Sequence, residues 1–272
     1  MPAVSTQLVM ALELILVFAG CVLLWRHGLS PEARRQPALL ARWDISPGNF
    51  LLFLWLVITV GLLAQFAAVP ALRRADWGET ATVVLAGGAF HVGMLLGALL
   101  FSLITRKPEP VPGPAAVTPA LIPAAGATFL ILLPLITAAS LGWQFVLARL
   151  GLEAAPQDLV GMFLSVESPW LLAAMILLAT VVAPVSEELV FRAGLFRYLR
   201  GRGPRWVAFL LPAMLFAALH ANLASFVPLT VLGMLFALAY ERTGRLAVPI
   251  VAHGLFNLNT IMLLFAGVAP GA

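Results

Sequence analysis

Eight stretches of this chain run for about twenty residues with almost no charge, and that repetition limits the possible folds more than any other feature. A helix needs roughly 20 mainly apolar residues to cross a bilayer. Irregular backbone cannot lie against lipid, because its N–H and C=O groups would find no partners there. The runs cover about residues 6–25, 49–70, 80–105, 120–148, 169–196, 206–221, 223–240 and 246–267. The expectation is an all-α polytopic membrane protein with about eight transmembrane helices. Composition agrees: 62% of the 272 residues are hydrophobic and 10% charged, against roughly a quarter charged in soluble domains. The sixth and seventh runs are short and joined by HANLAS, which carries no formal charge, so a tight or partly sunken turn is expected there.

The first run, Thr6 to Trp25, has no basic leader and no small-residue cleavage pattern, so it reads as a retained helix. Cys21 is the single cysteine, which excludes an internal disulfide. The connections are rich in Gly, Pro or charge, as linkers are. No internal repeat stands out, which counts against a small transporter built from inverted halves. The chain divides into three unmatched membrane helices in residues 1–118 and a second group in 119–272 that holds the chemistry-bearing motifs. A formal charge of +4 raises nucleic acid as a partner, but the basic residues sit in short clusters between apolar runs, where they set topology. Nucleic acid is set aside, and membrane lipid is the expected surround.

Arg26, Arg34, Arg35, Arg42, Arg106, Lys107, Arg197, Arg200, Arg202, Arg205, Arg242 and Arg245 all follow odd-numbered spans, while Arg73, Arg74 and Arg149 follow even-numbered ones. Short cytoplasmic loops hold the excess of Lys and Arg. Both termini are therefore expected on the non-cytoplasmic side of what reads as a bacterial-type inner membrane.

Charge inside a span is expensive, about 2.5–3.5 kcal/mol per group on insertion scales, so it marks pairing, a watered cavity or function. The stretch APVSEELVFRAGLF, residues 183–196, carries Glu187, Glu188 and Arg192. Glu188 and Arg192 have the i,i+4 spacing of a helical ion pair with the acid N-terminal, so Arg192 is expected to neutralise Glu188 and help fix helix orientation. Glu187 points about 100° away and is the carboxylate left over. Pro184 lacks an N–H and displaces the carbonyl one turn back, which predicts a bend near Glu187. FAALH places Phe216 one turn from His220, and HGLFN does the same for His253 and Asn257. At 1.5 Å per residue from the flanking arginines, Glu187, His220 and His253 lie ~15, ~22 and ~12 Å deep. A carboxylate, two imidazoles and a carboxamide meeting in one chamber form a hydrolytic inventory: a base for water and donors for an oxyanion. His91 and Glu13 have no partner readable from sequence. DLVGMFLSVES reads as a connector, with an interfacial helix as the other option.

EELVFR, FAALH and HGLFN, in this order on separate membrane helices, resemble the three signatures of the CAAX-protease and bacteriocin-processing (CPBP, Abi) family, and YERTGRLAVPIVAHGLFN resembles that family's approach to its last motif. The resemblance covers about residues 165–262, and Ala193 stands where many bacterial members have glycine. It implies an intramembrane endopeptidase similar to the type II CAAX prenyl proteases, acting on peptides or proteins with a hydrophobic or prenylated C-terminus. In that likeness Glu187 and His220 activate water, and His253 and Asn257 stabilise the oxyanion. Glu188 and Arg192 take supporting positions, and Asn222 is a polar neighbour able to orient a ring. No cofactor is favoured. Zinc on Glu187, His220 and His253 is the metal alternative, since two His and one Glu suit a catalytic site with an open position for water, though the compact H-E-x-x-H spacing is absent. The remaining alternative is a non-proteolytic membrane immunity or stress-protection protein of the same fold.

Overall fold

The computed structural model describes residues 2–105, 120–153, 155 and 158–268. Ten helices order the described chain: α1 (Pro2–Leu24), α2 (Pro31–Arg34), α3 (Pro47–Arg74), α4 (Glu79–Thr105), α5 (Leu121–Arg149), α6 (Asp158–Ser165), α7 (Pro169–Arg200), α8 (Arg205–Leu219), α9 (Leu223–Thr243) and α10 (Ala247–Phe265). Local chemistry sets several boundaries. Ser46 Oγ accepts from Asn49 N–H ahead of α3, with Pro47 in the first turn, where its missing N–H costs nothing. Gly244, at φ 63°, closes α9 in the left-handed region.

Among the described residues seven helices are long and apolar enough to cross a membrane: one from Thr6 to Leu29, then α3, α4, α5, α7, α9 and α10. The protein is thus a polytopic all-α membrane protein. The sixth expected run is α8, whose 15 residues reach about 22 Å, short of a ~30 Å hydrocarbon core, so seven of the eight expected spans are long enough to cross. It stops at His220, and the expected tight turn follows directly, with Ala221 at φ 49°.

Glycines let the helices approach. A Cβ on Gly93 would stand 2.7 Å from the Val60 carbonyl, and one on Gly97 would stand 2.6 Å from that of Leu56. The Gly-x-x-x-Gly face of α4 therefore rides directly on the α3 backbone, the small-residue contact by which helices pack in lipid. Gly20 sets α1 against the Leu130 carbonyl of α5 in the same way. Elsewhere α1 turns Leu8, Leu14, Ile15 and Phe18 outward, as a lipid-facing helix must. Its polar Glu13 is held by Asn259 Nδ2, 3.2 and 3.3 Å from the two carboxylate oxygens.

One core unites the two halves of the chain. Phe53 of α3, Met94 of α4 and Leu132 of α5 pack in a cluster with Phe191 of α7, Phe216 of α8 and Phe236 of α9. Helix α6 lies within the segment expected as a connector, and Phe163 docks it into a second cluster with Leu171, Met175 and Leu264. The connections after the first, fifth and seventh expected spans meet at one end of the bundle. There Arg197 Nε donates to the Ala41 carbonyl (2.9 Å), Arg202 to that of Trp43 (3.1 Å) and Arg242 to that of His27. Arg106 and Lys107, which the sequence groups with these basic connections, fall outside the described residues.

The α3–α4 crossing is testable. Gly97→Ala should lower the thermal midpoint of the detergent-purified protein by an amount corresponding to about 1–3 kcal/mol, the usual penalty for overpacking. Gly142→Ala, where a Cβ meets nothing within 4 Å, should leave the midpoint unchanged or raise it.

Candidate active site

Helix α7 is not a regular α-helix. Its Leu178–Val182 and Leu189–Phe196 segments are wound as π turns, with α-helical Ala183–Glu188 between them. Pro184, near which a bend is expected, lies just after the first π segment, in the α-helical stretch. Ala183 N–H reaches back to the Leu178 carbonyl instead of the Ala179 carbonyl one α-turn away, which frees Ala179 to accept from Asn257 Nδ2 of α10 at 2.7 Å. The next carbonyl, Thr180, faces Gly254 so closely that a Cβ there would collide with it. Proline chemistry and one glycine thereby lock α10 onto the widened wall of α7, with His253 and Asn257 on either side of the contact. Such π turns recur at functional positions.

The two adjacent glutamates receive different environments. Glu188 is fully buried, and its Oε1 accepts from Arg192 Nη1 at 2.8 Å and from His253 Nδ1 at 2.9 Å. Arg192, 2% exposed, also donates through Nη2 to the Gly233 carbonyl (3.2 Å) and sits over the rings of Phe216 and Phe236, 4.8 and 5.2 Å from their centroids. The expected Glu188–Arg192 pair is present, and Glu188 additionally holds the catalytic-type histidine. Glu187 remains 17% exposed, with its Oε2 3.8 Å from His253 Nε2, within ion-pair range but longer than a hydrogen bond.

Hydrogen bonding sets the imidazole tautomers. A carboxylate paired with a guanidinium only accepts, so His253 carries a proton on Nδ1 and turns Nε2 to Glu187. Its ring stacks on Phe236 at 4.9 Å and meets the edge of Phe216 at 6.0 Å. His220 Nδ1 lies 2.8 Å from the Phe216 carbonyl, which can only accept, so its Nε2 is left as the basic atom. Phe216 packs edge-on against His220 as well, at 4.8 Å. It is the spacer common to both histidines.

His91 is the residue that sequence reasoning left without a role. From α4 its Nδ1 meets Ser186 Oγ at 2.8 Å, and it stands within electrostatic reach of both Glu187 and His220. No local pattern signals a contact across 95 residues. The available hint was a single histidine in an otherwise apolar span. Asn222 corrects the expectation in the other direction. Its Oδ1 accepts from Ser225 N–H and Oγ, its Nδ2 donates to the Ala155 carbonyl, and the side chain caps α9 instead of orienting a ring. The Asn-Leu-Ala-Ser spacing was a readable cap signal.

Among the described residues no three His, Cys, Asp or Glu side chains gather as a metal-holding set. Glu187, His220 and His253, the residues named for a possible zinc ion, are not gathered as such a set.

Fold and site together define a multi-pass membrane protein with an acid–histidine centre inside its helix bundle. Residues 169–259 match the type II CAAX prenyl endopeptidase Rce1-like family model. The span contains every residue of the centre except His91. The chain is similar to the putative membrane peptidase YdiL of Bacillus subtilis, 34% identical over 89 residues, or 33% of this chain and 36% of that protein. It is also similar to the membrane-embedded CAAX protease MroQ of Staphylococcus aureus, 39% identical over 89 residues, or 30% of this chain and 36% of that one. The UPF0177 protein YbdI of Lactococcus lactis is 30% identical over 87 residues, 32% of this chain and 46% of its own length. The matches span between about a third and a half of these curated relatives. No solved structure matches the chain.

The division between the glutamates predicts unequal stability effects. Glu188→Ala strands a buried arginine and frees His253, and should cost about 3–5 kcal/mol, as breaking a buried pair does. Glu187→Ala removes a partly exposed group with one long contact and should shift the unfolding midpoint little. Thermal unfolding in one detergent compares the two.

Proposed function

We propose that the protein is an intramembrane endopeptidase that cleaves hydrophobic or lipidated peptide tails with water activated at Glu187. The observation that carries this reading is the separation of roles at the acid pair. Oε1 of Glu188 is engaged by both Arg192 and His253, while Glu187 is partly exposed, is not hydrogen-bonded to either, and has its Oε2 3.8 Å from His253 Nε2.

In the proposed reaction Glu187, assisted by the basic Nε2 of His220, takes a proton from water as its oxygen attacks the scissile carbonyl carbon. The tetrahedral oxyanion is met by His253 as an imidazolium, whose Nδ1–H stays on Glu188 while its Nε2–H donates, and by the Asn257 N–H not engaged by Ala179. Glu187 then returns the proton to the departing amine as the C–N bond breaks, leaving a new carboxyl terminus and a free amine. A positioned general base of this kind is worth about 10²–10⁴ in rate. His91 is a positioning residue in this scheme. It holds Ser186, the neighbour of Glu187, and adds an imidazole to the same wall.

The family description and the name of the staphylococcal relative both point to CAAX-type tails, so a prenylated C-terminal peptide is the first substrate class proposed. Purified protein in detergent should cleave a fluorogenic farnesylated CAAX peptide. Glu187→Ala should lower kcat/KM by about 10²–10⁴, and a strong zinc chelator should have no effect. Loss of cleavage with the chelator would restore the zinc route. An inactive wild type, on this peptide and on a panel of membrane peptides, would favour the non-proteolytic immunity or stress-protection reading. His91→Ala should lower kcat more than it raises KM.

A further inference from the structure

The bundle carries a second built feature at its basic end. Where the last residue of α7, the first of α8 and the last turn of α9 meet the α2 turn, a cavity of about 440 Å³ opens, lined by Arg34, Arg200, Arg205 and Arg242 around Glu241. Glu241 is buried, and both of its oxygens are taken: Oε1 by Arg200 Nε and Oε2 by Arg205 Nη2, each at 2.6 Å. One carboxylate thus fixes two guanidinium groups and neutralises one of four positive charges. Arg200 and Arg205 nonetheless stay 34% and 60% exposed. The walls are braced by backbone, since Leu39 N–H and Leu40 N–H donate to the Glu241 carbonyl at 2.9 and 3.1 Å, and by Arg242, which donates to the His27 carbonyl. Arg200 lies thirteen residues beyond Glu187 on the same helix, about 20 Å away, so this cavity is separate from the acid–histidine centre.

We infer that this cavity binds a phosphate group. Guanidinium forks match phosphate oxygens two at a time. Holding two forks in place through Glu241 before a ligand arrives reduces the ordering cost of binding. The pocket sits at the end of membrane-spanning helices, at the level of lipid headgroups, where basic pockets between helices hold anionic lipid. An anionic phospholipid and free phosphate share the recognising chemistry, and experiment separates them.

Native mass spectrometry of the full chain released from detergent, titrated with phosphatidylglycerol, phosphatidylcholine and inorganic phosphate, reads the site directly. Each arginine near the headgroups contributes about 1 kcal/mol, so Arg34→Gln combined with Arg242→Gln, which spares the Glu241 pairs, should weaken the one-to-one phosphatidylglycerol complex about tenfold or more. Arg73→Gln with Arg74→Gln, at the other end of α3, should not weaken it. Phosphatidylcholine should bind the wild type no better than it binds the Arg34/Arg242 variant. Displacement of the lipid by millimolar phosphate, in the wild type alone, would identify free phosphate as the occupant. Resistance to phosphate would identify the lipid. The inference is overturned if both double variants lose binding equally, or if the Arg34/Arg242 variant binds phosphatidylglycerol and phosphate as the wild type does. Arg34→Gln alone, at an exposed position, carries the same comparison should the double variant unfold without ligand.

Discussion

A single oxygen, Oε1 of Glu188, accepts hydrogen bonds from both Arg192 and His253, and the interior of the bundle is organised around it. A charge of either sign alone at this depth would be expelled or neutralised. Paired and capped by the Gly233 carbonyl and two aromatic faces, the arginine becomes a fixed strut tying α7 to α9, while the same carboxylate ties α7 to α10. Removing one partner of such a pair is far more harmful than the pair is stabilising. Glu188 therefore belongs to the architecture as much as to the chemistry. Its neighbour in sequence, turned about 100° around the helix, is left facing the other nitrogen of the histidine that Glu188 holds.

The irregular winding of α7 belongs to the same device. A regular helix would satisfy the Ala179 carbonyl internally and offer Asn257 nothing. The π turn and the missing N–H of Pro184 release backbone acceptors on the side facing α10, and Gly254 lets that helix come close enough to use them. The turn after α8 is likewise set by local constraint: Ala221 takes a left-handed conformation that costs an alanine about 1–2 kcal/mol. That conformation falls immediately after His220. Backbone irregularity thus clusters beside the titratable groups, where transmembrane proteins tolerate it because neighbouring helices satisfy the freed groups.

Much of this was legible in the sequence, for physical reasons. Apolar runs are read by length, and the helices fall within a few residues of the expected spans. The Glu188–Arg192 pair is an i,i+4 contact, and so is the contact between Phe216 and His220. Tertiary contacts were not legible in the same way. The bond from Glu188 to His253 crosses 65 residues and that from His91 to Ser186 crosses 95, and neither leaves a periodic trace. Asn222 was assigned to the wrong neighbour because a polar residue beside a catalytic-type histidine invites a functional reading, whereas its own Asn-x-x-Ser spacing encodes a cap. The likeness to CAAX proteases, carried by three short motifs, agrees with the family segment at residues 169–259.

His253 is held through Nδ1 by Glu188 and turns Nε2 toward Glu187. With four histidines in the chain, solid-state nitrogen NMR of histidine-labelled protein in lipid can resolve this ring, assigned by its loss in His253→Asn. The account predicts a protonated Nδ1 whose resonance moves in Glu188→Gln, and an Nε2 resonance that moves in Glu187→Gln. An unprotonated Nδ1, or an Nε2 indifferent to Glu187, would contradict it.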